Sequence, residues 1–128
     1  TDAVIWSIRT VVGGLPVGLF GASTGAAAAL TAAAQLGIAI GAVVCRGGRP
    51  DLAGAALEDV RAPTLLIVGG NDHEVLELNR RAAHRLAGLC VVEIIPGASH
   101  LFPEPGAMEK VTVLATEWFE RHLAPLVV

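Results

Sequence analysis

Three residues that could carry out nucleophilic chemistry follow three separate apolar segments of the chain. Ser23 lies between two glycines, Asp72 follows the segment PTLLIV, and His100 lies in the loop after the segment 89–95. A serine hydroxyl that passes its proton to histidine can attack an acyl carbonyl, and an acid fixes the histidine tautomer. We therefore expect acyl transfer to water if the fold brings these three side chains together.

The pattern G-x-S-x-G surrounds Ser23 at the point where a strand is expected to become a helix. An apolar run, Leu15–Phe20, precedes the pattern, and a block of alanines follows Gly25. In this context the pattern predicts a tight turn that lifts the serine hydroxyl out of the sheet, with the helix N-terminus directed at a developing oxyanion. Small residues on both sides allow strand and helix to approach closely. The alternative is a glycine-rich turn in which Ser23 only caps the helix.

Asp72 and His100 each have an ordinary explanation when taken alone. An aspartate just before a helix commonly caps it, and a histidine in a loop commonly faces solvent. The chain order of serine, acid and histidine, each after a strand, favours their assembly into a catalytic triad instead. Asp51, after the second strand, is retained as a reserve acid. Three other histidines are expected to lie outside the site: His73 beside Asp72, and His84 and His122 facing solvent.

The elements that must position these residues alternate between strand and helix. Strands are expected at 16–20, 38–45, 63–68 and 89–95; helices at 3–12, from Ser23 or Thr24 to 36, at 73–86 and at 107–123; and short helical turns within 46–54 and at 57–60. Such alternation predicts parallel strands with right-handed crossovers and a site at their carboxyl ends. We expect an α/β fold with a parallel sheet of about four strands and flanking helices, in a single domain over residues 1–128.

Two helices show a clear apolar face at helical spacing. The inward positions are expected to be Val75, Leu78, Ala82 and Leu86 in one helix, and Val111, Leu114, Trp118 and Phe119 in the other.

The composition of the 128 residues agrees with strands that are buried on both faces. Apolar residues make up 53% and charged residues 16% of the chain, and the net charge is −3. This balance, without a basic stripe, argues against nucleic-acid binding. No metal-ligand spacing and no phosphate-loop lysine occur, so neither a metal nor another cofactor is expected.

Cys45 and Cys90 lie inside apolar runs and are expected to be buried free thiols of a cytoplasmic protein. No signal peptide is visible. The stretch 25–45 is long enough to cross a membrane, but Gly37 divides it and β-branched residues follow. A helix and then a buried strand are expected there, with no membrane span.

Four segments carry a resemblance to a known family: PVGLFGASTGAAAAL, VVCRGGRPDLAG, APTLLIVGGND and VVEIIPGASHLF. They resemble the α/β-hydrolase superfamily and, within it, the dienelactone hydrolase-like branch. They also look like the hydrolase domain that some chains carry beside a phosphoribosyltransferase domain. The resemblance implies Ser23 as nucleophile, His100 as base, Asp72 as acid and the Thr24 backbone N–H as one oxyanion donor. Dienelactone hydrolase itself uses cysteine, so its chemistry is not assumed for a chain with serine there.

The expected substrate is a small-molecule ester with a small or medium acyl group. Leu101, Phe102 and Met108 are expected to form an apolar wall beside His100. Arg46 and Arg49 flank Gly47-Gly48 near the site and could hold an anionic group of the substrate. The more ordinary alternative is pairing of these arginines with Asp51 or Glu58 within the fold.

The resemblance also implies that part of the usual fold lies outside this chain. A complete member is roughly twice as long and has several strands before the elbow, with a loop that gives the second oxyanion N–H. The chain begins at Thr1 without a methionine. It is therefore expected to be a piece of a longer protein, to pair strand 16–20 with a second copy or a preceding segment, or to cover the gap with the helix 3–12. Weak or partner-dependent ester hydrolysis and a non-catalytic hydrolase remnant that acts by association both stay open.

Overall fold

Four parallel strands form the centre of the computed structural model, which describes residues 17–123. The strands are β1 (Val17–Ala22), β2 (Ile40–Arg46), β3 (Thr64–Gly69) and β4 (Cys90–Ile95), and they lie side by side in that order. All three pairings are parallel, which confirms the expected α/β class. The helix expected at 3–12 and the first residue of strand 16–20 lie outside the described residues.

Helices cover both faces of this sheet. They are α1 (Gly25–Leu36), α2 (His73–Arg85) and α3 (Ala107–His122), with short 3₁₀ segments at Gly37–Ala39 and Pro50–Asp59. One core packs α1, α2 and the second 3₁₀ segment against one face of the sheet, and α3 packs on the other face. The two central strands carry apolar side chains on both faces because both faces are covered.

The two cysteines are free, as expected, but only one is fully buried. Cys45 lies in β2 with no exposed surface, and burial raises the pKa of its thiol to about 12. Cys90 at the start of β4 is half-buried, and burial raises its pKa to about 11. Both thiols are therefore neutral near pH 7 and poor nucleophiles in the folded protein.

The structure shifts the boundaries of the first two strands. β1 continues to Ala22, and β2 begins at Ile40 rather than Ile38 because a 3₁₀ turn intervenes. Gly37 starts that turn at a φ of +55°, which favours glycine, and Ile38 is fully exposed. The apolar run was therefore a poor guide to where the strand begins.

The predicted buried face of α2 is confirmed in part, since Ala82 and Leu86 are buried as expected. Val75 and Leu78 are only partly buried, whereas Leu76 and the polar Asn79 point into the core beside Ala82. A search for apolar spacing passes over Asn79 because it treats asparagine as a surface residue. In α3 the prediction was closer: Val111 and Trp118 are buried, Leu114 and Phe119 are half-buried, and two alanines, Ala107 and Ala115, complete the face.

No helix within residues 17–123 is long and apolar enough to cross a membrane. The apolar stretch 25–45 is instead divided into α1, the 3₁₀ turn and β2, as its glycine and β-branched residues predicted.

Leu66 offers a test of this core because its side chain is fully buried in β3. We expect Leu66→Ala to lower the free energy of unfolding by about 2–5 kcal/mol, from lost burial and the cavity left behind. Ile38→Ala is the control, since Ile38 is fully exposed, and should change it little. Urea denaturation followed by circular dichroism measures both; equal effects would contradict the assigned core.

Candidate active site

Ser23 occupies a sharp turn between β1 and α1. Its φ is +51°, a left-handed conformation that is strained for a serine. Three backbone hydrogen bonds hold it there: the Ser23 N–H donates to the carbonyl of Arg46 at 3.3 Å, and the Ser23 carbonyl accepts from the N–H groups of Arg49 at 3.0 Å and Ala26 at 3.2 Å. Neither Ser23 nor Thr24 makes a side-chain cap on α1, so the simple capping alternative is wrong.

The glycines on either side of this turn have different roles. A Cβ at Gly21 would overlap the carbonyl oxygen of Gly25 and lie 2.8 Å from the Cα of Ala26, so the strand and helix backbones approach too closely for any side chain. A Cβ at Gly25 would meet nothing within 4 Å. Close approach therefore explains the first glycine of the pattern but not the second.

A chain of two hydrogen bonds joins the three side chains that the sequence singled out. Ser23 Oγ lies 3.1 Å from His100 Nε2, and His100 Nδ1 lies 2.8 Å from Asp72 Oδ2. The Asp72 carboxylate only accepts, so Nδ1 carries the proton and Nε2 is left to accept from the serine hydroxyl. The Asp72 side chain is 15% exposed and that of His100 is 41% exposed, which leaves the histidine open to solvent above a sheltered acid.

Asp72 is positioned by the turn between β3 and α2. Its N–H donates to the Gly69 carbonyl at 3.0 Å, and its carbonyl accepts from the Leu76 N–H at 2.8 Å. Its side chain makes no cap on α2 and is directed to His100 instead, so the capping explanation of Asp72 is also wrong. A Cβ at Gly69 would overlap the Ala98 carbonyl, so β3 and the histidine loop touch through their backbones.

The resemblance implied the backbone N–H of Thr24 as an oxyanion donor, and the structure leaves this N–H without a backbone acceptor among residues 17–123. Thr24 directly follows Ser23 at the start of α1. A free N–H beside the positive end of a helix dipole suits a developing negative charge.

Asp51 is not placed to act as a reserve acid. Both of its carboxylate oxygens accept from the Arg49 guanidinium, at 2.9 and 3.0 Å. These hydrogen bonds lower the pKa of Asp51 and raise that of Arg49. The structural alternative for Arg49 is thus confirmed, whereas Glu58 pairs with Arg85 at 3.5 Å.

The expected apolar wall beside His100 is only partly present. Leu101 is 68% exposed and free to contact a ligand, but Phe102 is 2% exposed and belongs to the core. Phe102 is therefore a structural residue rather than a substrate contact. The Arg46 guanidinium lies 5.8 Å from the centre of the Phe102 ring. Met108 and Arg46 line an open groove of about 430 Å³ between β1 and α3, together with Phe20, Val111, Thr112, Ala115, Thr116 and Phe119.

Solved structures with high similarity share this arrangement of strands and helices. A dienelactone hydrolase from Anabaena variabilis is 50% identical, with a TM-score of 0.90 over 94% of this chain and 58% of that one. A monoacylglycerol lipase from Paleococcus ferrophilus is 19% identical, with a TM-score of 0.76 over 94% of this chain and 72% of that one, a likeness of fold alone. This chain has the α/β-hydrolase fold. The resemblance to the dienelactone hydrolase branch is confirmed with it.

A curated relative is longer and carries a different name. A candidate phosphoribosyl transferase from Mycobacterium tuberculosis, recorded in two strains, is 62% identical over 109 residues. The match covers 85% of this hydrolase-fold chain and 25% of the relative, so the chain spans a quarter of that protein's length. A scan against protein-family models finds no match.

The other three histidines of this α/β-hydrolase-fold chain make no hydrogen bond to Ser23 or Asp72 in the described structure. His73 and His84 are exposed, as expected. His122 is not fully exposed as predicted: it is half-buried against Trp118, with ring centres 4.3 Å apart, and burial lowers its pKa. Its Nε2 is buried without a partner among residues 17–123.

Sequence reasoning missed three residues whose hydrogen bonds hold the loops next to Ser23 and His100. Asn79 is buried and its amide nitrogen donates to the carbonyl of Gly48 at 3.0 Å, next to the elbow. Ser99 and Glu104 are hydrogen-bonded to each other around His100. The one available signal was the polar residue at an inward position of α2, since a buried amide requires partners.

The two glycines of the elbow allow a matched comparison. We expect Gly21→Ala to displace Ser23 and lower the free energy of unfolding, because the new methyl group would overlap backbone atoms. Gly25→Ala should leave it unchanged or raise it by about 0.5–1 kcal/mol, since Gly25 is the first residue of a helix and the space is open. Chemical denaturation of both variants measures this. A Gly25→Ala protein as unstable as Gly21→Ala would refute the assignment.

Proposed function

We propose that this chain is a serine hydrolase that cleaves carboxylic esters through an acyl-enzyme on Ser23. The observation that carries the proposal is the continuous hydrogen-bonded chain from Ser23 Oγ through His100 to Asp72, at 3.1 and 2.8 Å. The positive φ of Ser23 and the free N–H of Thr24 support it, because an attacking serine needs both an exposed hydroxyl and a donor for the oxyanion.

In the first half of the reaction, Ser23 Oγ attacks the acyl carbonyl carbon and its proton passes to His100 Nε2. The carbonyl π electrons move to oxygen, which accepts from the Thr24 N–H, while Asp72 stabilises the imidazolium. When the C–O bond to the alcohol breaks, the departing oxygen takes the proton from His100. Water then attacks the acyl-enzyme with the same proton transfers, and the acid and free Ser23 are released.

The open surroundings of the site favour small or medium acyl groups of a small-molecule ester. Leu101 is exposed next to His100, and Met108 is partly exposed in the groove beside β1. Arg46 lies in the same groove without a salt bridge to any residue in 17–123, so we retain it as a residue that could bind a polar part of the substrate. No cofactor enters this mechanism.

The described chain offers one backbone donor for the oxyanion, at Thr24. Loss of one of two donors typically lowers turnover by about 10²–10³. We therefore propose that activity is weak unless a partner or another segment supplies the second donor. We also propose that residues 1–128 form a single domain and that the protein is cytoplasmic. We propose that the transferase activity in the name of the longer relative belongs to the part of that protein outside the match.

The alternative function is association without catalysis, and it is favoured by an edge of β1 that no strand within residues 17–123 covers. β1 pairs only with β2 among the described strands, and the Phe20 side chain on it is 50% exposed. Such an edge offers unpaired backbone groups to another strand. We propose that β1 takes up a second copy of this chain; the other candidate is a strand from a preceding segment of a longer protein.

A fluorophosphonate ester probe tests the hydrolase proposal directly, because an activated serine hydroxyl attacks its phosphorus, fluoride leaves and the serine becomes phosphonylated. We expect labelling of Ser23 in the wild-type chain, no labelling of Ser23→Ala, and labelling slower by about 10³-fold or more in His100→Ala. Mass spectrometry of peptides after labelling locates the modified residue.

Two further variants make this test specific. Asp51→Ala should label at the wild-type rate, whereas Asp72→Ala should lose most of the rate, since Asp72 is hydrogen-bonded to His100 and Asp51 to Arg49. A folded wild-type chain that never reacts at Ser23 would contradict the hydrolase proposal and favour association alone.

Sedimentation velocity tests the proposed pairing of β1. We expect the wild-type chain to sediment as a dimer and Phe20→Lys to shift it towards monomer, since a charge on an edge strand opposes pairing. Ile38→Lys is the control, because Ile38 is fully exposed away from β1. A monomeric wild-type chain would rule out the second copy and leave a strand from outside these residues as the partner of β1.

A further inference from the structure

Ser99, the residue before His100, makes two hydrogen bonds to the carboxylate of Glu104. Glu104 Oε2 accepts from the Ser99 hydroxyl at 2.7 Å, and Glu104 Oε1 accepts from the Ser99 backbone N–H at 3.0 Å. Both Ser99 and Glu104 are half-buried. The reaction proposed for Ser23 requires no carboxylate besides Asp72, so the pairing of Ser99 with Glu104 needs a separate explanation.

We propose that Glu104 is a positioning residue that holds His100 in place to accept the proton of Ser23. This inference rests on the proposed ester hydrolysis for its effect on rate. Its effect on the position of His100 does not depend on catalysis.

The backbone of the loop between β4 and α3, which carries His100, explains why these hydrogen bonds to Ser99 are needed. Within the loop between β4 and α3, backbone bonds join Ala98 to Ile95, Phe102 to Ser99 and Ala107 to Glu104. The Asn71 N–H also donates to the Ala98 carbonyl at 3.0 Å, and none of these bonds uses the N–H or carbonyl of His100. The position of His100 is therefore set through its neighbours rather than by its own backbone.

Two anchors lie on either side of His100 in this loop. On one side the Glu104 carboxylate holds Ser99; on the other, the buried ring of Phe102 holds the backbone at a φ of +55°. The Phe102 N–H also donates to the Ser99 carbonyl at 3.1 Å. Ser99 thus binds both anchors, and a shift of Ser99 would carry His100 away from Ser23.

The charge state of Glu104 agrees with this geometry. Hydrogen bonds from the Ser99 hydroxyl and then from the Ser99 N–H lower the pKa of Glu104, so it is ionised near neutral pH. An ionised carboxylate accepts both bonds, and such charge-assisted bonds are shorter and stronger than neutral ones.

A purely structural role for Glu104 is the competing explanation, because it also lies just before α3. Its carbonyl accepts from the Ala107 N–H at 3.0 Å. That bond uses the backbone alone and is retained in any side-chain variant. A structural role for the carboxylate would lower stability without changing the reactivity of folded molecules, whereas a positioning role changes the reactivity itself.

The experiment compares side-chain variants on the full chain with the fluorophosphonate probe. We expect Glu104→Ala to lower the maximal labelling rate of Ser23 by about tenfold to a hundredfold, because small displacements of a catalytic group have effects of this size. The probe concentration at half-maximal rate should stay the same. Ser99→Ala, which loses one of the two bonds, should show a smaller drop, and Ser99→Thr, which keeps the hydroxyl, should restore the rate.

Glu117→Ala is the matched control, since Glu117 is exposed on α3, and it should label at the wild-type rate. A second readout is the downfield proton resonance of the hydrogen bond between His100 Nδ1 and Asp72. We expect this resonance in the wild type and its loss or broadening in Glu104→Ala. If Glu104→Ala does not fold, Glu104→Gln, which keeps one acceptor oxygen, replaces it.

The outcomes separate this inference from the proposed function. If the wild type does not label at all but Glu104→Ala loses the His100 resonance, the hydrolase proposal fails and the positioning role stands. If Glu104→Ala only lowers the melting temperature, with unchanged labelling rate and an unchanged resonance in the folded protein, the positioning role is overturned.

Discussion

The left-handed backbone of Ser23 is the constraint on which the rest of this structure depends. A serine at a φ of +51° carries strain of about 1–3 kcal/mol, and it persists only where its neighbours hold it. Here the holders come from three segments: the end of β2, the loop after it and the first turn of α1. Gly21 and Gly48 have no side chain because a Cβ at either would overlap the turn or the first residues of α1.

The loop after β2 links this elbow to α2 on the same face of the sheet. The Asn79 amide nitrogen donates to the carbonyls of Gly48 at 3.0 Å and Val75 at 2.8 Å, which fixes which end of the amide faces the loop. Arg49, the next residue of the loop, donates its N–H to the Ser23 carbonyl. The buried Asn79 amide, with both N–H donors satisfied, is thus part of the support for the turn that holds Ser23.

The sequence was sufficient for the order of the elements and for the three side chains that meet at the strand ends. The strand patterns were strong because β2 and β3 are rich in apolar residues, and α3 has a clear apolar period. The three side chains could be grouped because the carboxyl ends of parallel strands lie at one edge of the sheet. What failed depends on contacts between distant residues. Phe102 is buried because its loop turns inward, and Asp51 is occupied by Arg49; neither fact is visible in spacing along the chain. Ester hydrolysis by the three side chains at the strand ends is a proposal that goes beyond their geometry.

The position of Ser23 next to β1 also connects the proposed ester hydrolysis with the proposed association through the sheet edge. β1 is paired with one neighbouring strand within the described sheet. A typical hydrogen bond, such as each of the three backbone bonds at Ser23, contributes about 0.5–1.5 kcal/mol net to stability. The three bonds at Ser23 are therefore comparable in size to the strain they hold, which leaves a small margin. A strand paired along the free edge of β1 would restrict the motion of the residues that lead into the elbow. Association at this edge and reactivity of Ser23 are thus expected to be coupled, so a chain that binds through β1 need not have lost its chemistry to do so.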